Sequence, residues 1–386
     1  MRSALINARV FTGEEWIEEA SVLIENDRIQ YVGRNTEFIT GVDQTRDLEN
    51  GCLVPGFIDV QVNGGGGALL NKETSLEGIR TIARAHRKYG TTGMLPTLIT
   101  DDQGVMEKAI AAVKEALSQQ EPGVLGIHLE GPYLNQSRKG VHQEEKIRSM
   151  EEGATVLLSS LKQGITLVTL APEKSAPGTI KELVQAGVIV AAGHTAGGYE
   201  DYQQAFAEGL SCFTHLFNAM TPMNSREPGA VGAALEHKDS WCGLIVDGFH
   251  VHPATLKVAI RAKQPGKMML VTDAMPTVGS KIDYFELYGQ KIYSRDGRCI
   301  TDDGVLAGAH LDMATAVRNT VEMLDIPRAE ALRMASLYPA QFLGLGKEYG
   351  MIKEGYKASM VLLDDRGYVR DSWVEGRDMA ADGFSE

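Results

Sequence analysis

The sequence predicts an α/β protein: a (β/α)8 barrel of the TIM type with a small β-sandwich domain built from both chain ends. Eight apolar segments of strand length recur through the middle of the chain, and amphipathic segments of helix length lie between most of them. Near-continuous apolar runs are typical of parallel strands that are buried on both faces. Eight such repeats with short connections favour a closed barrel over an open sheet.

The positions of the barrel elements follow from these runs. Apolar runs predict strands near residues 53–62, 91–99, 124–130, 165–171, 188–194, 211–216, 242–247 and 267–273. Apolar residues at helical spacing predict helices over 77–88, 104–117, 179–186, 199–207 and 254–262. We therefore assign residues 55–345 to the barrel.

The two ends of the chain carry a different pattern, in which apolar and polar residues alternate as in antiparallel strands. It covers residues 3–10, 20–25 and 28–33 at the start, and 358–363 and 368–376 at the end. Neither group can bury a face alone, so we expect residues 1–54 and 346–386 to form one small β-domain. A further hairpin is predicted between Asp283 and Ile300, turning at Arg295-Asp296-Gly297, where it can lie over the barrel mouth.

Composition and charge exclude several classes of partner. The net charge is −13, which argues against nucleic-acid binding because a phosphate backbone requires a basic surface. The apolar runs are only strand-sized, so we expect no membrane-spanning segment. The first residues lack the apolar core of a secretory leader, and the four cysteines are scattered without a C-x-x-C pair. We therefore expect a cytoplasmic protein with reduced, buried thiols.

Residues of metal-ligand type stand where three of the predicted strands end, namely Glu130, His194 and His215. In a barrel these ends meet at one mouth, where active sites form. A lone histidine is more often structural, but a carboxylate and two histidines at one mouth match a catalytic zinc site with a position open for water. Asp273, at the end of the last strand, is the candidate general base.

Three further features leave two interpretations open. His128, two residues before Glu130, either orients a ligand or is a satisfied core histidine. His142, in a polar loop, is either an exposed side chain or a donor that polarises a carbonyl group. The Gly64–Gly67 run is either a flexible loop or a close approach of the backbone to a ligand.

Six motifs stand at or beside the predicted strands, and a longer pattern runs from Gly350 to Trp373. The motifs are Pro55-Gly56-Phe57-Ile58-Asp59, His128-Leu129-Glu130-Gly131-Pro132, Gly193-His194-Thr195, Thr214-His215-Leu216-Phe217-Asn218-Ala219-Met220, Asp247-Gly248-Phe249-His250 and Thr272-Asp273-Ala274. Together they resemble the N-acetylglucosamine-6-phosphate deacetylase family of the amidohydrolase superfamily, over nearly the whole chain.

The resemblance implies a role for each matching residue. One divalent metal ion, expected to be Zn²⁺, would be held by Glu130, His194 and His215, with Asp273 as general acid and base. His142 would polarise the acetyl carbonyl. The substrate-binding residues would be Val141, His142, Asn218, Ala219, Arg226, Asp247, His250, Leu306, Ala307 and Gly308.

Arg226 has a special place in this resemblance, which implies a homodimer in which the arginine reaches the neighbouring site. A lone surface arginine is usually only solvated. Beside Asn218 and the metal strand, however, Arg226 is the obvious bidentate partner for a phosphate.

The first strand departs from the pattern of many amidohydrolases, which carry His-x-His there to hold a second metal. This chain has Gln61-Val62-Asn63 instead. Neutral amides are poor zinc ligands beside imidazole. Gln61 and Asn63 therefore mark a vestigial second-metal position, and we expect a single metal ion per chain.

The implied reaction is hydrolysis of the acetamide of N-acetyl-D-glucosamine 6-phosphate, giving D-glucosamine 6-phosphate and acetate. The same chemistry on N-acetylgalactosamine 6-phosphate or on another amide, such as a cyclic one, is the first alternative. A non-catalytic barrel scaffold is a remote alternative, disfavoured because the three ligands and the base are all kept. A metal-free phosphate-binding barrel would need a catalytic Lys or Glu, and no strand-end lysine is present.

Overall fold

The computed structural model describes residues 1–34 and 41–379. The predicted end domain, 1–54 with 346–386, includes residues 35–40 and 380–386, which lie outside the described residues. The chain divides into two compact units, one comprising Met1–Asp59, His86–Gly93 and Met313–Glu386, the other Val60–Ala85 and Met94–Asp312. The boundaries at 54/55 and 345/346 stay predictions.

Eight strands form a barrel sheet in which neighbours follow one another in chain order. The pairs are parallel, as where Gly126–Glu130 lies beside Ile165–Leu170. A parallel bridge between Val62 and Ala274 joins the first strand to the segment after the last, which confirms the predicted barrel. The barrel strands are Phe57–Val62, Thr91–Ile99, Gly126–Glu130, Ile165–Leu170, Ile189–Ala192, Cys212–Phe213, Trp241–Leu244 and Met268–Leu270.

The first predicted strand, 53–62, is two strands in the structure. Cys52–Pro55 pairs antiparallel with Met360–Leu363 in a second sheet, outside the barrel. Phe57–Val62 is the first barrel strand. Gly56 separates them, and a side chain there would meet the Thr92 hydroxyl at 2.0 Å. Both strands are fully buried, so hydrophobicity alone could not reveal the break.

The five helices predicted from periodicity are present, within one or two residues at each end. Gln103–Ser118 shows why: Met106, Ala109, Ile110 and Val113 form one buried face. The helix Gly229–Glu236 was not predicted from periodicity. It is buried on nearly every side and so lacks a polar face. Among the described residues, no helix is long and apolar enough to cross a membrane. The helices are Leu76–Arg87, Gln103–Ser118, Ala154–Leu158, Thr179–Gln185, Tyr199–Glu208, Gly229–Glu236, Pro253–Ala262, Met313–Leu324, Arg328–Ala335 and Leu337–Phe342.

Both chain ends contribute to a second eight-stranded sheet, as predicted. Its buried core combines residues from the two ends, among them Val22 and Leu53 with Met360 and Trp373. Lys357 also forms an ion pair with Asp27, 2.6 Å apart. The strands are Arg2–Phe11, Trp16–Glu25, Arg28–Gly33, Gln44–Asp47, Cys52–Pro55, Met360–Leu363, Val369–Val374 and Arg377–Asp378.

A four-stranded antiparallel sheet follows the last barrel strand and contains the predicted hairpin. Its central turn lies at Asp296-Gly297, between the paired residues Arg295 and Arg298. An apolar cluster joins this sheet to Leu69, Ile99 and Met275, which lie at or after the carboxyl ends of barrel strands. We call it the mouth sheet. Its strands are Tyr284–Leu287, Gln290–Arg295, Arg298–Ile300 and Leu306–Ala309.

Candidate metal and active site

The key side chains stand where the barrel strands end. Glu130 is the last residue of the third strand, whereas His194, His215 and Asp273 follow two or three residues after the fifth, sixth and eighth strands. These last three have left-handed backbones, with φ of 48°, 32° and 52°. For a residue other than glycine this conformation costs about 1–3 kcal/mol and is concentrated at functional sites. Contacts with the surrounding structure must therefore stabilise the left-handed backbone of these three residues.

Glu130, His194 and His215 bring three ligand-type atoms to one point. Glu130 Oε1 lies 3.2 Å from His194 Nε2 and 3.0 Å from His215 Nε2, and the two nitrogens are 3.1 Å apart. Ligand atoms of a tetrahedral zinc site lie about 3.3–3.5 Å apart, because zinc–ligand distances are about 2.0–2.2 Å. A movement of a few tenths of an ångström would admit such an ion. The three buried residues thus fit a metal ion, and nitrogen with carboxylate oxygen is a donor set that zinc accepts.

Hydrogen bonds fix the orientation of two of these side chains. His194 Nδ1 donates to the Arg138 carbonyl at 2.8 Å, so in the neutral ring the Nε2 lone pair faces Glu130 and His215. Gln61 Nε2 donates to Glu130 Oε2 at 3.0 Å. Burial alone would raise the pKa of Glu130, but its hydrogen bonds to the two histidines hold that pKa well below its usual range. Glu130 is therefore an anionic ligand at neutral pH.

Asp273 lies beside this group and accepts hydrogen bonds from both amides of the first strand. Asn63 Nδ2 is 2.6 Å and Gln61 Nε2 is 3.2 Å from Asp273 Oδ1. Burial and the nearby charge of Glu130 raise the pKa of Asp273 to about 6. The two amides of the first strand therefore orient two carboxylates, since Gln61 donates to both Glu130 and Asp273.

His142 is buried, although it lies in a loop. Its Nδ1 is 2.7 Å from the Thr100 hydroxyl, and its ring packs against that of His194 with centroids 4.3 Å apart. Burial, together with His194, lowers the pKa of His142 well below its ordinary value. The interpretation as an exposed loop histidine is therefore wrong, and a neutral ring faces the cleft.

The structure also decides between the two interpretations of His128 and of the glycine run. The ring of His128 bonds to Thr169 Oγ1 at 2.7 Å and lies 3.4 Å from Thr97 Oγ1, so it is a satisfied core histidine. In the glycine run, a side chain at Gly64 would meet the Ala68 carbonyl at 2.5 Å. The close approach at Gly64 is therefore to the chain itself.

A cleft of about 180 Å³ opens over these side chains. Four predicted residues lie outside its lining. Asp247 has its Oδ2 2.6 Å from His250 Nδ1, Ala307 lies in the apolar cluster, and Arg226 is exposed. The fourth, Gln61, donates hydrogen bonds to Glu130 and Asp273. The predicted residues that line the cleft are Asn63, Glu130, Val141, His142, His194, His215, Asn218, Ala219, His250, Asp273, Leu306 and Gly308.

Sequence reasoning missed two polar residues that follow the second and fourth strands. Thr100 bonds to His142. Glu173 accepts from the Ala196 N–H at 2.7 Å and from Thr195 Oγ1 at 2.6 Å, and thereby holds the turn after His194. Both follow an apolar run, which was the available signal, but threonine is not a usual metal ligand, and Glu173 lies beyond the predicted end of its strand.

Comparisons with known proteins agree with this geometry. A model of the amidohydrolase family matches residues 52–380. The chain is 44% identical over 330 residues to the N-acetylgalactosamine-6-phosphate deacetylase of Shewanella sp. (strain ANA-3), covering 85% of this chain and 83% of that protein. It is 35% identical over 380 residues to the N-acetylglucosamine-6-phosphate deacetylase of Haemophilus influenzae, covering 98% and 99%. The crystal structure of the N-acetylglucosamine-6-phosphate deacetylase from Pasteurella multocida matches with a TM-score of 0.94 and 35% identity, covering 98% and 99%.

Proposed function

The chain belongs to the amidohydrolase family, and from this premise we propose that it hydrolyses the acetamide of N-acetyl-D-glucosamine 6-phosphate. The products are D-glucosamine 6-phosphate and acetate. One observation carries the proposal: a single cleft unites a metal-type ligand set, a carboxylate and a buried neutral histidine. These are the groups that amide hydrolysis needs.

Glu130, His194 and His215 would hold one divalent metal ion per chain, with Zn²⁺ as our proposal. Such an ion, when bound, lowers the pKa of water to about 7 and acts as a Lewis acid toward the carbonyl. Gln61 and Asn63 add no second set of ligands, because their amide nitrogens donate to the carboxylates.

Asp273 is the proposed proton shuttle. Asn63 and Gln61 fix its carboxylate at the edge of the cleft, where it can take a proton from the attacking water and return it to the amine. An amine is a poor leaving group until it is protonated. A pKa near 6 suits both steps, because the group is mostly ionised at neutral pH yet readily protonated.

His142 is the proposed donor to the acetyl carbonyl. Its Nδ1 faces Thr100, so Nε2 is the ring nitrogen available to the cleft. A donor already fixed in a buried site stabilises the negative charge that develops on the oxygen during attack.

The phosphate would lie at the other end of the cleft, against His250 and the backbone near Asn218 and Ala219. Asp247 orients His250 through the 2.6 Å bond to Nδ1. Val141, Leu306 and Gly308 line the space for the sugar ring, with Ala307 packed behind. The chain carries a net charge of −13, so a dianion requires local donors such as these.

Arg226 would complete the phosphate site from a second copy of the chain. It is exposed and lies outside the cleft lining of its own chain, in a loop after the sixth strand. A homodimer that places Arg226 in the neighbouring cleft would supply the bidentate cation that the phosphate end otherwise lacks. A cytoplasmic location fits a phosphorylated sugar and four buried free thiols.

N-acetylgalactosamine 6-phosphate is a second candidate substrate. The specific observation in its favour is the 44% identity to the Shewanella protein of that name. The two sugars differ only in the configuration at one hydroxyl, so the metal ligands, Asp273 and His142 would act identically on both.

An acetate-release assay with both 6-phosphates and both unphosphorylated sugars tests the proposal. We expect turnover of at least one 6-phosphate, and the higher kcat/KM identifies the preferred epimer. Turnover of the unphosphorylated sugars should be far lower. If metal-replete protein released acetate from none of the four, the proposed function would be wrong.

A further inference from the structure

We propose that Thr100 is a positioning residue that holds His142 with its Nε2–H directed into the cleft. The inference rests on the proposed function, because it assigns His142 the acetyl carbonyl as partner. Thr100 lies directly after the second barrel strand, Thr91–Ile99, and is only 1% exposed. It does not line the cleft itself, so any effect on the reaction must pass through a neighbour.

Two groups of Thr100 face the same nitrogen of His142. The hydroxyl Oγ1 is 2.7 Å from Nδ1, and the backbone N–H of Thr100 also points at Nδ1, at 3.4 Å. A backbone N–H can only donate. A proton on Nδ1 would oppose it, so Nδ1 is the acceptor of this pair of contacts.

The alternative use of the Thr100 hydroxyl is weak. Its other acceptor is the Glu130 carbonyl, at 3.5 Å, which is beyond the usual range for an O–H donor. The hydroxyl proton is therefore assigned to Nδ1. Because both the hydroxyl and the backbone N–H of Thr100 donate to Nδ1, the ring proton lies on Nε2, the nitrogen available to the cleft.

Thr100 is itself held from two sides. The hydroxyl of Tyr288, in the turn between the first two strands of the mouth sheet, donates to the Thr100 carbonyl. The next residue, Asp101, is paired with Lys146, and its carbonyl accepts from Arg148 Nη1 at 3.0 Å. Contacts from two other segments of the chain thus fix the backbone around Thr100, and its side chain transmits that rigidity to the histidine ring.

The packing around His142 shows why such a hold matters. Its ring lies against the ring of His194 at an interplanar angle of 57°, a contact without a hydrogen bond, so hydrogen bonding must limit rotation about the Cβ–Cγ bond. A misplacement of about 1 Å at a catalytic group can reduce the rate by orders of magnitude. The Thr100 hydroxyl supplies the directional contact that the tilted ring contact does not.

Replacing Thr100 by its near-isostere tests this role. We expect Thr100→Val to lower kcat about three- to tenfold, as for loss of one hydrogen bond, with KM within about twofold because ground-state binding is unaffected. Thr100→Ser keeps the hydroxyl and should restore kcat. Thr320→Val, at another fully buried threonine whose hydroxyl bonds to Ala316 in a helix, is the matched control and should keep kcat. Equal losses in Thr100→Val and Thr320→Val would overturn the proposal.

A double-mutant cycle then separates positioning from general stability. In a His142→Ala background, Thr100→Val should cause no further loss of kcat, because the residue it acts through is gone. A second loss of the same size would contradict the proposal.

Selective ¹⁵N-histidine NMR gives a readout that does not depend on turnover. We expect His142 in the holoenzyme to carry its proton on Nε2, with an Nδ1 shift that changes in Thr100→Val and not in Thr100→Ser. A wild-type ring protonated on Nδ1 would refute the inference even if the protein is a deacetylase. Absence of wild-type turnover would refute the proposed function and leave this NMR test standing.

Discussion

The two ends of the cleft are built differently. At the reacting end, Glu130, His194 and His215 are buried within 3.2 Å of one another. At the phosphate end, His250 is already paired with Asp247, and Arg226 is exposed. In the proposed function, one chain would therefore supply all the reacting groups but only part of the phosphate site.

This difference has a physical reason. Bond hydrolysis needs groups fixed to within fractions of an ångström, and buried barrel strands supply that rigidity. Phosphate recognition needs local positive charge, which a chain of net charge −13 can gather from a surface loop or from a second copy. We therefore expect substitutions at the reacting end to act on kcat and those at the phosphate end to act on substrate preference.

The largest effect is expected at Asp273. Asp273→Asn keeps the shape but removes the proton acceptor, so kcat should fall by at least about a thousandfold, since general acid–base catalysis contributes about 10²–10⁴ per step. Steady-state acetate release measures this, and the metal content should stay unchanged. Retention of a substantial fraction of wild-type turnover would assign the proton shuttle to another residue.

Arg226→Ala is expected to act only on phosphorylated substrate. Loss of a charge-assisted hydrogen bond, about 1.5–3 kcal/mol, should lower kcat/KM about ten- to a hundredfold. The unphosphorylated sugar is the internal control, and its slow turnover should barely change. An equal loss for both sugars would mean that the arginine does not contact phosphate.

Mixing these two variants sharpens the same comparison. If Arg226 of one chain enters the cleft of its partner, a heterodimer of Asp273→Asn and Arg226→Ala contains one site with both residues intact. Activity should then partly recover on subunit exchange. No recovery, with exchange demonstrated by mass spectrometry, would place the action of Arg226 within its own chain.

Asp247→Asn should have the smallest effect. Its carboxylate orients His250, but its negative charge also repels a phosphate, so the two consequences of the substitution oppose each other. We expect kcat/KM for the 6-phosphate to fall about three- to tenfold, mainly through KM. A large loss of kcat, measured at saturating substrate, would instead tie Asp247 to the chemistry.

The same contrast explains what the sequence could predict. Buried strands and amphipathic helices follow from hydrophobic period, so the eight barrel strands were found in place, although several are shorter than predicted, and the helix Gln103–Ser118 was found within one residue of its bounds. Glu130, His194 and His215 were visible because each is a metal-ligand residue at the end of an apolar run. Their convergence followed from the geometry of a barrel.

Other features depend on tertiary contacts that no local pattern carries. The break at Gly56 is set by the close approach of Thr92, and the burial of His142 by packing against His194. In the sequence, Thr100 looks like any polar residue after a strand, because its contact with His142 is visible only in the structure. The helix Gly229–Glu236 is buried on nearly all sides, so it has no amphipathic period to detect.

Metal titration of the metal-free protein, followed by acetate release from the preferred 6-phosphate, tests the central claim most directly. Glu130, His194 and His215 offer one set of ligands, whereas Gln61 and Asn63 point amide donors at the carboxylates. The metal-free protein should be inactive, and activity should rise linearly to one equivalent of Zn²⁺ per chain and then stay level. Full activity without metal, or a linear rise to two equivalents, would contradict the single-metal hydrolytic site.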